Sequence, residues 1–201
     1  MSKIERIADA LRAGKLAVLP TDTVYGLVCT AASEEAAAAL YRLKGRDAIQ
    51  PTAIVAASVE ALLAAMPELE GETASRLRAV LPGPFTLVVP NPERRFEWLC
   101  GENPRALGVR VPNLSEDVAG IVAGAGVVVA TSANLPGGPD PRTLADVPQR
   151  IRDGVVAAVD GGELPGVAST VIDLSSPTPV VLRRGAGDID GALELISATS
   201  T

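Results

Sequence analysis

The chain has 201 residues, of which 47% are hydrophobic, and a formal net charge of −6 at pH 7. This content can fill a sizeable core, so we expect one folded domain over residues 1–201 rather than a disordered chain. Aromatic residues make up only 2% of the sequence, whereas a surface on which nucleic-acid bases stack needs exposed rings. Together with the acidic charge, this argues against strong direct binding of RNA or DNA.

The sequence contains no histidine, which excludes a Ser-His-Asp triad and removes the commonest zinc ligand. Cys29 and Cys100 lack metal-ligand spacing and are predicted to be ordinary thiols in a reducing compartment. The charged first residues do not have the pattern of a signal peptide, and no apolar run approaches the roughly 20 residues that a membrane span needs. We therefore expect a cytoplasmic protein without membrane association.

Hydrophobic periodicity and capping residues predict interleaved helices and strands. Helices are expected over residues 3–13, 34–44, 58–67, 72–80, 115–123 and 144–151 and from Asp188 onward, and strands over 16–19, 53–56, 85–89, 107–111, 126–131, 155–159, 170–174 and 180–183. Residues 91–105 should be irregular, 135–141 a Gly/Pro loop and 198–201 a loose end. Short connections between the late strands indicate some antiparallel pairs, so the prediction is an α/β fold around one twisted mixed sheet.

Small polar residues follow two of the predicted strands. Asp22 and Thr23 come after the strand that ends at Pro20, and Ser132 and Asn134 follow the apolar run before them. Ligands of α/β proteins tend to bind beyond the carboxyl ends of strands. These residues therefore suit a small polar ligand or an anion, although turns that satisfy their own backbone would have the same composition.

Three cationic residues suit an anionic ligand. Lys44 and Arg46 lie at the end of a predicted helix, where positive charge is stabilised in any case, but the same pair suits phosphate. Arg110 lies between two valines of a predicted strand and needs a carboxylate partner, from the protein or from a ligand. We interpret these residues as the site of a nucleotide and a small second substrate, where catalysis depends on positioning and charge neutralisation.

Seven short motifs together resemble the YrdC/TsaC family of threonylcarbamoyl-AMP synthases, over about residues 4–189. They are residues 20–27 (PTDTVYGL), 43–46 (LKGR), 82–86 (PGPFT), 108–112 (GVRVP), 131–134 (TSAN), 168–173 (ASTVID) and 182–185 (LRRG). The chain is similar to the short bacterial form, which has no appended C-terminal domain. The resemblance implies a YrdC-like single domain with a twisted mixed parallel and antiparallel sheet, flanking helices and a deep central cavity.

The resemblance also implies a reaction. Members of the family combine L-threonine, bicarbonate or CO₂, and ATP into threonylcarbamoyl-AMP and pyrophosphate, which makes them nucleotidyltransferases. A downstream complex then transfers the threonylcarbamoyl group to adenosine 37 of tRNA. Mg²⁺ is expected to accompany ATP, without a dedicated metal site on the protein.

Carried over residue by residue, the resemblance implies three sets of site residues. Lys44 and Arg46 would be catalytic, and Thr23, Arg110 and Ser169 would bind threonine. The nucleotide would be bound by Lys44, Arg46, Gln50, Ser132, Asn134, Asp140 and Arg183.

Several positions depart from the family pattern. Asp47 stands at a usual proline, Gln50 at a frequent asparagine, and Asp140 at a hydroxyl residue that could face the triphosphate. A salt bridge from Asp47 to Lys44 or Arg46 would weaken the phosphate site. These residues favour one alternative, a paralogue with another carbamoyl-adenylate specificity, and a non-catalytic RNA-binding module is a second alternative.

Overall fold

One mixed sheet organises the fold of residues 1–47 and 49–199, which are the residues that the computed structural model describes. Its strands are β1 (Ala17–Pro20), β2 (Tyr25–Thr30), β3 (Ala53–Val55), β4 (Phe85–Pro90), β5 (Ala106–Arg110), β6 (Val128–Ser132), β7 (Ala157–Ala158), β8 (Thr170–Asp173) and β9 (Val180–Arg183). They pair in the order β7-β1-β2-β6-β3-β5-β4-β8-β9. The pairs β1/β7, β3/β5 and β4/β8 are parallel and the others antiparallel, which confirms the predicted mixed sheet.

The helices begin largely where capping residues predict. They are α1 (Lys3–Arg12), α2 (Glu34–Lys44), α3 (Val59–Ala65), α4 (Gly71–Val80), α5 (Glu116–Ala125), α6 (Gln149–Asp153) and α7 (Ile189–Ala198). The Ser33 and Ser58 hydroxyls accept hydrogen bonds from backbone N–H groups in the first turns of α2 and α3. Helix α2 ends at Gly45, whose left-handed backbone (φ 72°) turns the chain directly after Lys44. This turn separates Lys44 from Arg46.

The two faces of the sheet are covered differently. On one face, strand residues such as Leu27 and Ile54 pack in a large aliphatic core with residues of α2, α3, α4 and α7. On the other face, α1 and α5 pack with Leu19, Val28 and Val128. These two helices leave the rest of this face uncovered, and the candidate site occupies that space.

Three sequence-based element predictions are wrong. Strand β2 was not predicted, because its six buried residues follow directly on a turn-forming segment that masks the start of a strand. The strand predicted over 155–159 is reduced to β7, two residues that pair with β1 at the end of the sheet. The helix predicted over 144–151 is broken at Pro148 into a 3₁₀ turn, Leu144–Asp146, and α6, since proline has no N–H to continue a helix.

The predicted irregular segment 91–105 is ordered by a buried asparagine. The Asn91 side chain donates to the carbonyls of Arg95 (2.8 Å) and Pro104 (3.0 Å) and accepts from the Arg95 N–H (2.9 Å). This segment contains a 3₁₀ turn, Glu97–Leu99. It carries Cys100 and Asn103 to the candidate site.

Helix α7 extends to Ala198 and Thr199 is its C-cap residue, so the prediction of a loose end is wrong for these two residues. Residues 200–201 lie outside the described residues. Within the described part of the chain, none of the helices has the length and apolar character needed to cross a membrane.

Replacing Asn91 by alanine should destabilise the protein by about 2–4 kcal/mol, because the backbone groups of Arg95 and Pro104 lose their bonds to this side chain. Urea unfolding measures this loss as a lower midpoint at an unchanged m-value. Asn103→Ala is the matched control: this side chain is exposed and accepts one local bond from the Arg105 N–H. Equal losses in both variants would contradict the role assigned to Asn91.

Candidate active site

A cavity of about 470 Å³ lies on the uncovered face of the sheet. Its floor consists of one small residue from each of four neighbouring strands, namely Gly26 of β2, Ala130 of β6, Ala53 of β3 and Gly108 of β5. A Cβ atom added to Gly108 would approach Ala53 to 3.2 Å, so this strand comes close to its neighbour. Polar residues surround the floor: Thr21, Arg46, Thr52, Thr86, Asn103, Arg110, Thr131, Ser132, Asp140, Ser169, Asp173 and Arg183. The volume falls in the range typical of small-molecule sites.

Arg110 has its counter-ion within the protein. The Nη2 atom of Arg110 donates to Asp22 Oδ1 at 2.5 Å and to Thr23 Oγ1 at 2.6 Å. Burial lowers the pKa of Arg110, while Asp22 opposes the shift, and a guanidinium stays protonated in any case. Nε of Arg110 is a buried donor without an acceptor among residues 1–47 and 49–199.

Lys44 is buried behind the cavity wall, where it binds the residues at the end of β6. Its Nζ donates to the Ser132 carbonyl at 2.6 Å and to the Asn134 carbonyl and Oδ1 at 2.8 and 2.6 Å. Burial, with repulsion by Arg46, lowers the pKa of Lys44 to about 8, and the Asp140 carboxylate opposes that shift. Lys44 therefore holds the end of β6 in shape, which the sequence alone did not indicate.

Arg46 reaches the cavity from the turn after α2. Its Nη2 donates to the Pro51 carbonyl at 2.8 Å and its Nη1 to Thr131 Oγ1 at 3.3 Å. Nε of Arg46 is buried and has no acceptor within the described part of the chain. Burial is the main cause that lowers the pKa of Arg46, and as a guanidinium it remains a fixed positive charge at the cavity wall.

Asp47 and Gln50, which follow Arg46, are not among the residues that line the cavity. Asp47 is exposed, and its carboxylate accepts from the Ile49 N–H at 3.1 Å. Within the described chain it forms no ion pair with Lys44 or Arg46, so the salt bridge considered from the sequence is not found. Gln50 is also exposed and is not among the residues that line the cavity.

The opposite wall consists of hydroxyl groups joined to an arginine. Ser169 Oγ lies 2.8 Å from Thr86 Oγ1, and Arg183 donates to the Ser169 Oγ (3.1 Å) and carbonyl (3.0 Å). Thr170, the next residue, is fully buried and accepts from the Gly185 and Gly187 N–H groups. These bonds fix the end of β9 against β8, so Arg183 is held at the rim.

Asp140 is an acidic residue of the cavity wall whose charge acts on Lys44. It follows a loop in which Asn134 Nδ2 donates to the Gly138 carbonyl at 2.7 Å, and it is half-buried in the wall. Among the described residues, no group of three or more metal-ligating side chains could hold a metal ion.

The structure thus brings Arg46, Arg110, Ser132, Asp140, Ser169 and Arg183 to one cavity. Thr23, Lys44 and Asn134 lie behind its wall and bond to residues that line it, whereas Gln50 stands apart. Sequence reasoning assigned no role to Thr86, which bonds to Ser169. It considered Asp22 as a group facing a small polar ligand, whereas the structure pairs Asp22 with Arg110. It also missed the Tyr25 hydroxyl, which accepts from the Gly161 N–H and donates to the Gly162 carbonyl, tying down the loop before Ser169.

Comparisons with known proteins agree with this architecture. Residues 9–185 match the model of the Sua5/YciO/YrdC family, described as "Telomere recombination". Threonylcarbamoyl-AMP synthase of Pyrococcus abyssi is 36% identical over 184 residues, which cover 91% of this chain and 54% of that protein. Threonylcarbamoyl-AMP synthase of Vibrio campbellii is 30% identical over 187 residues, covering 92% of this chain and 100% of that protein.

Among solved structures, the crystal structure of P. abyssi Sua5 complexed with L-threonine superposes with a TM-score of 0.84 and 34% identity. The match covers 96% of this chain and 57% of that one, so the chain spans little more than half the length of the archaeal relative. Since the family model covers most of the sequence, the chain belongs to the Sua5/YciO/YrdC family.

Proposed function

We propose that this protein is an L-threonylcarbamoyladenylate synthase, a nucleotidyltransferase that forms threonylcarbamoyl-AMP and pyrophosphate from L-threonine, bicarbonate or CO₂, and ATP. One observation carries the proposal: three guanidinium groups, those of Arg46, Arg110 and Arg183, line one cavity of a protein with net charge −6. Such a concentration of fixed positive charge suits a substrate pair with several anionic groups. The relatives' names and the threonine-bound archaeal structure support the choice of substrates.

Arg110, with Thr23 behind it, would bind the carboxylate of L-threonine, and Ser169 would close the other side. Arg46 and Arg183 would bind the phosphates of ATP, while Lys44 and Asn134 keep the end of β6 in shape beside them. Placing the two substrates in one cavity makes the reaction effectively intramolecular. A base is needed only to keep the threonine amine neutral, so the absence of histidine is no obstacle.

In the reaction, the neutral threonine amine adds to CO₂ and loses a proton to solvent, which gives a carbamate. A carbamate oxygen then attacks the α-phosphorus of ATP, the bond from that phosphorus to the bridging oxygen breaks, and pyrophosphate leaves with the electron pair. Fixed guanidinium groups near the α-phosphate would stabilise the charge that develops in this step. Mg²⁺ arriving with ATP would neutralise the departing pyrophosphate.

The product would supply a partner complex that transfers the threonylcarbamoyl group to adenosine 37 of tRNA. Asp140 in the cavity wall favours a second candidate, a paralogue that forms a different carbamoyl-adenylate, because a carboxylate there repels a triphosphate unless Mg²⁺ intervenes. The first experiment separates these candidates.

Pyrophosphate release from ATP should require both L-threonine and bicarbonate, and it should fall when L-serine replaces L-threonine. The measurement is a coupled pyrophosphate assay with matched reactions that lack each substrate. Release that depends on a different amine would favour the paralogue, and nucleotide binding without any amine-dependent release would contradict the synthase.

Arg110→Ala should weaken L-threonine binding by about 30-fold or more, because the substrate carboxylate loses its charged partner. It should leave the affinity for a non-hydrolysable ATP analogue within about twofold. Arg46→Ala should have the reverse effect. Isothermal titration measures both ligands, and Arg184→Ala is the control, since this exposed neighbour of Arg183 does not line the cavity. If both ligands bind Arg110→Ala normally, the role of Arg110 is wrong.

The value of kcat/KM for ATP should fall as the pH rises through about 8, the pKa of Lys44. Below this pH the protonated amine donates to Ser132 and Asn134, and above it the neutral amine directs a lone pair at one of these oxygens. Because kcat/KM reports the free enzyme, Lys44→Arg should move this limb of the profile to higher pH. An unchanged limb in Lys44→Arg would assign it to another group.

A further inference from the structure

Asp22 makes the shortest charged contact within the candidate site, and the function proposed above gives it no role. Its Oδ1 accepts from Arg110 Nη2 at 2.5 Å, and the two side chains are only 10% and 11% exposed. Oδ2 accepts from the backbone N–H of Asn113 at 3.0 Å. Both carboxylate oxygens are therefore engaged, and the second bond anchors Asp22 to the segment that follows β5.

Within the described residues, the hydrogen bonds of the Arg110 guanidinium all come from Nη2. Its Nη2 donates to Asp22 and to Thr23 Oγ1, which uses both hydrogens of that nitrogen. The Thr23 hydroxyl lies 3.1 Å from that of Thr21, which donates to the Val24 carbonyl at 2.7 Å. The turn between β1 and β2 is therefore built to present two oxygens to a single nitrogen of Arg110.

The rest of the guanidinium is left for a ligand. Nε of Arg110 is buried without an acceptor within residues 1–47 and 49–199, and Arg110 lines the cavity while Asp22 does not. A buried donor without a partner is costly, and a ligand carboxylate would remove that cost. Asp22 therefore has no direct contact with a ligand in the cavity, and the residue through which it can position one is Arg110.

We propose that Asp22 is a positioning residue that fixes the Arg110 guanidinium for the carboxylate of the amino-acid substrate. This inference rests on the function proposed above. Without Asp22, the hydroxyl of Thr23 would be the hydrogen-bond partner left to Arg110 among the described residues. Arg110 would also be repelled by Arg183, whose positive charge acts on it. A long side chain under these forces samples several rotamers, and the substrate would have to select the productive one, which weakens binding.

The test measures two ligands in three variants. Asp22→Ala should raise the Kd and KM for L-threonine by about tenfold or more and leave both kcat and the affinity for a non-hydrolysable ATP analogue within about twofold. Asp22→Asn keeps an acceptor at the same place and should give a smaller loss. Asp117→Asn, an exposed residue of α5, is the charge-matched control and should behave as the native protein.

Several results would overturn the proposal. Native threonine affinity in Asp22→Ala does so, as does an equal loss of threonine and ATP-analogue binding, which indicates a general structural role. A fall in kcat at unchanged KM does so too, because Asp22 would then act on the reacting groups. If Asp22→Ala does not fold, the same readouts from Asp22→Asn decide the matter.

L-threonine binding by the native protein distinguishes failure of the proposed function from failure of the role proposed for Asp22. If the native protein binds no L-threonine, the synthase proposal fails, and a crystal structure of the Asp22 variant decides the positioning role. Displacement of the Arg110 guanidinium from Thr23 supports that role, and an unmoved guanidinium overturns it.

Discussion

The site depends on the incomplete cover of one face of the sheet. Helices α1 and α5 bury an aliphatic cluster with residues of β1, β2, β3 and β6, but they leave the rest of this face uncovered. A cavity on this part of the face requires small side chains at its floor, because bulky groups there would fill the space. Gly26, Ala53, Gly108 and Ala130 satisfy that condition and leave the cavity open.

The charges of the cavity are held by neutral oxygens as much as by counter-ions. Arg46 is anchored by the Pro51 carbonyl and a threonine hydroxyl, and Arg183 by the carbonyl and hydroxyl of Ser169. Among the three arginines, Arg110 has an ion pair with a carboxylate within the described residues. Positive charge anchored by neutral groups remains available to an anion, so a locally cationic cavity can exist in an acidic protein.

Hydrogen bonds fix these groups before any ligand binds. Lys44 closes the end of β6, and the Thr86–Ser169–Arg183 chain joins three strands across the opposite wall. The Tyr25 hydroxyl holds the loop that leads to Ser169. A site arranged in this way does not need to reorganise during the reaction, and such preorganisation is the usual source of electrostatic catalysis.

The sequence by itself determined the fold class, most of the helices and strands, and the family. Local signals suffice for these: serine caps before α2 and α3, aliphatic runs for the central strands, and motifs of adjacent residues. The sequence also singled out Arg110 as a buried charge that needs a partner, because a guanidinium between two valines cannot remain unpaired.

Only the tertiary structure decided which partner that is and which residues reach the cavity. Asp22 and Arg110 are 88 positions apart, and Lys44 and Ser132 are also 88 apart, so no local pattern could pair them. For the same reason, the sequence did not predict that Lys44 lies behind the cavity wall or that Gln50 lies away from the cavity. It also did not predict β2, because that strand is defined by its pairing with β1 and β6. Contacts between distant segments depend on the sheet order, and hydrophobic periodicity carries no information on that order.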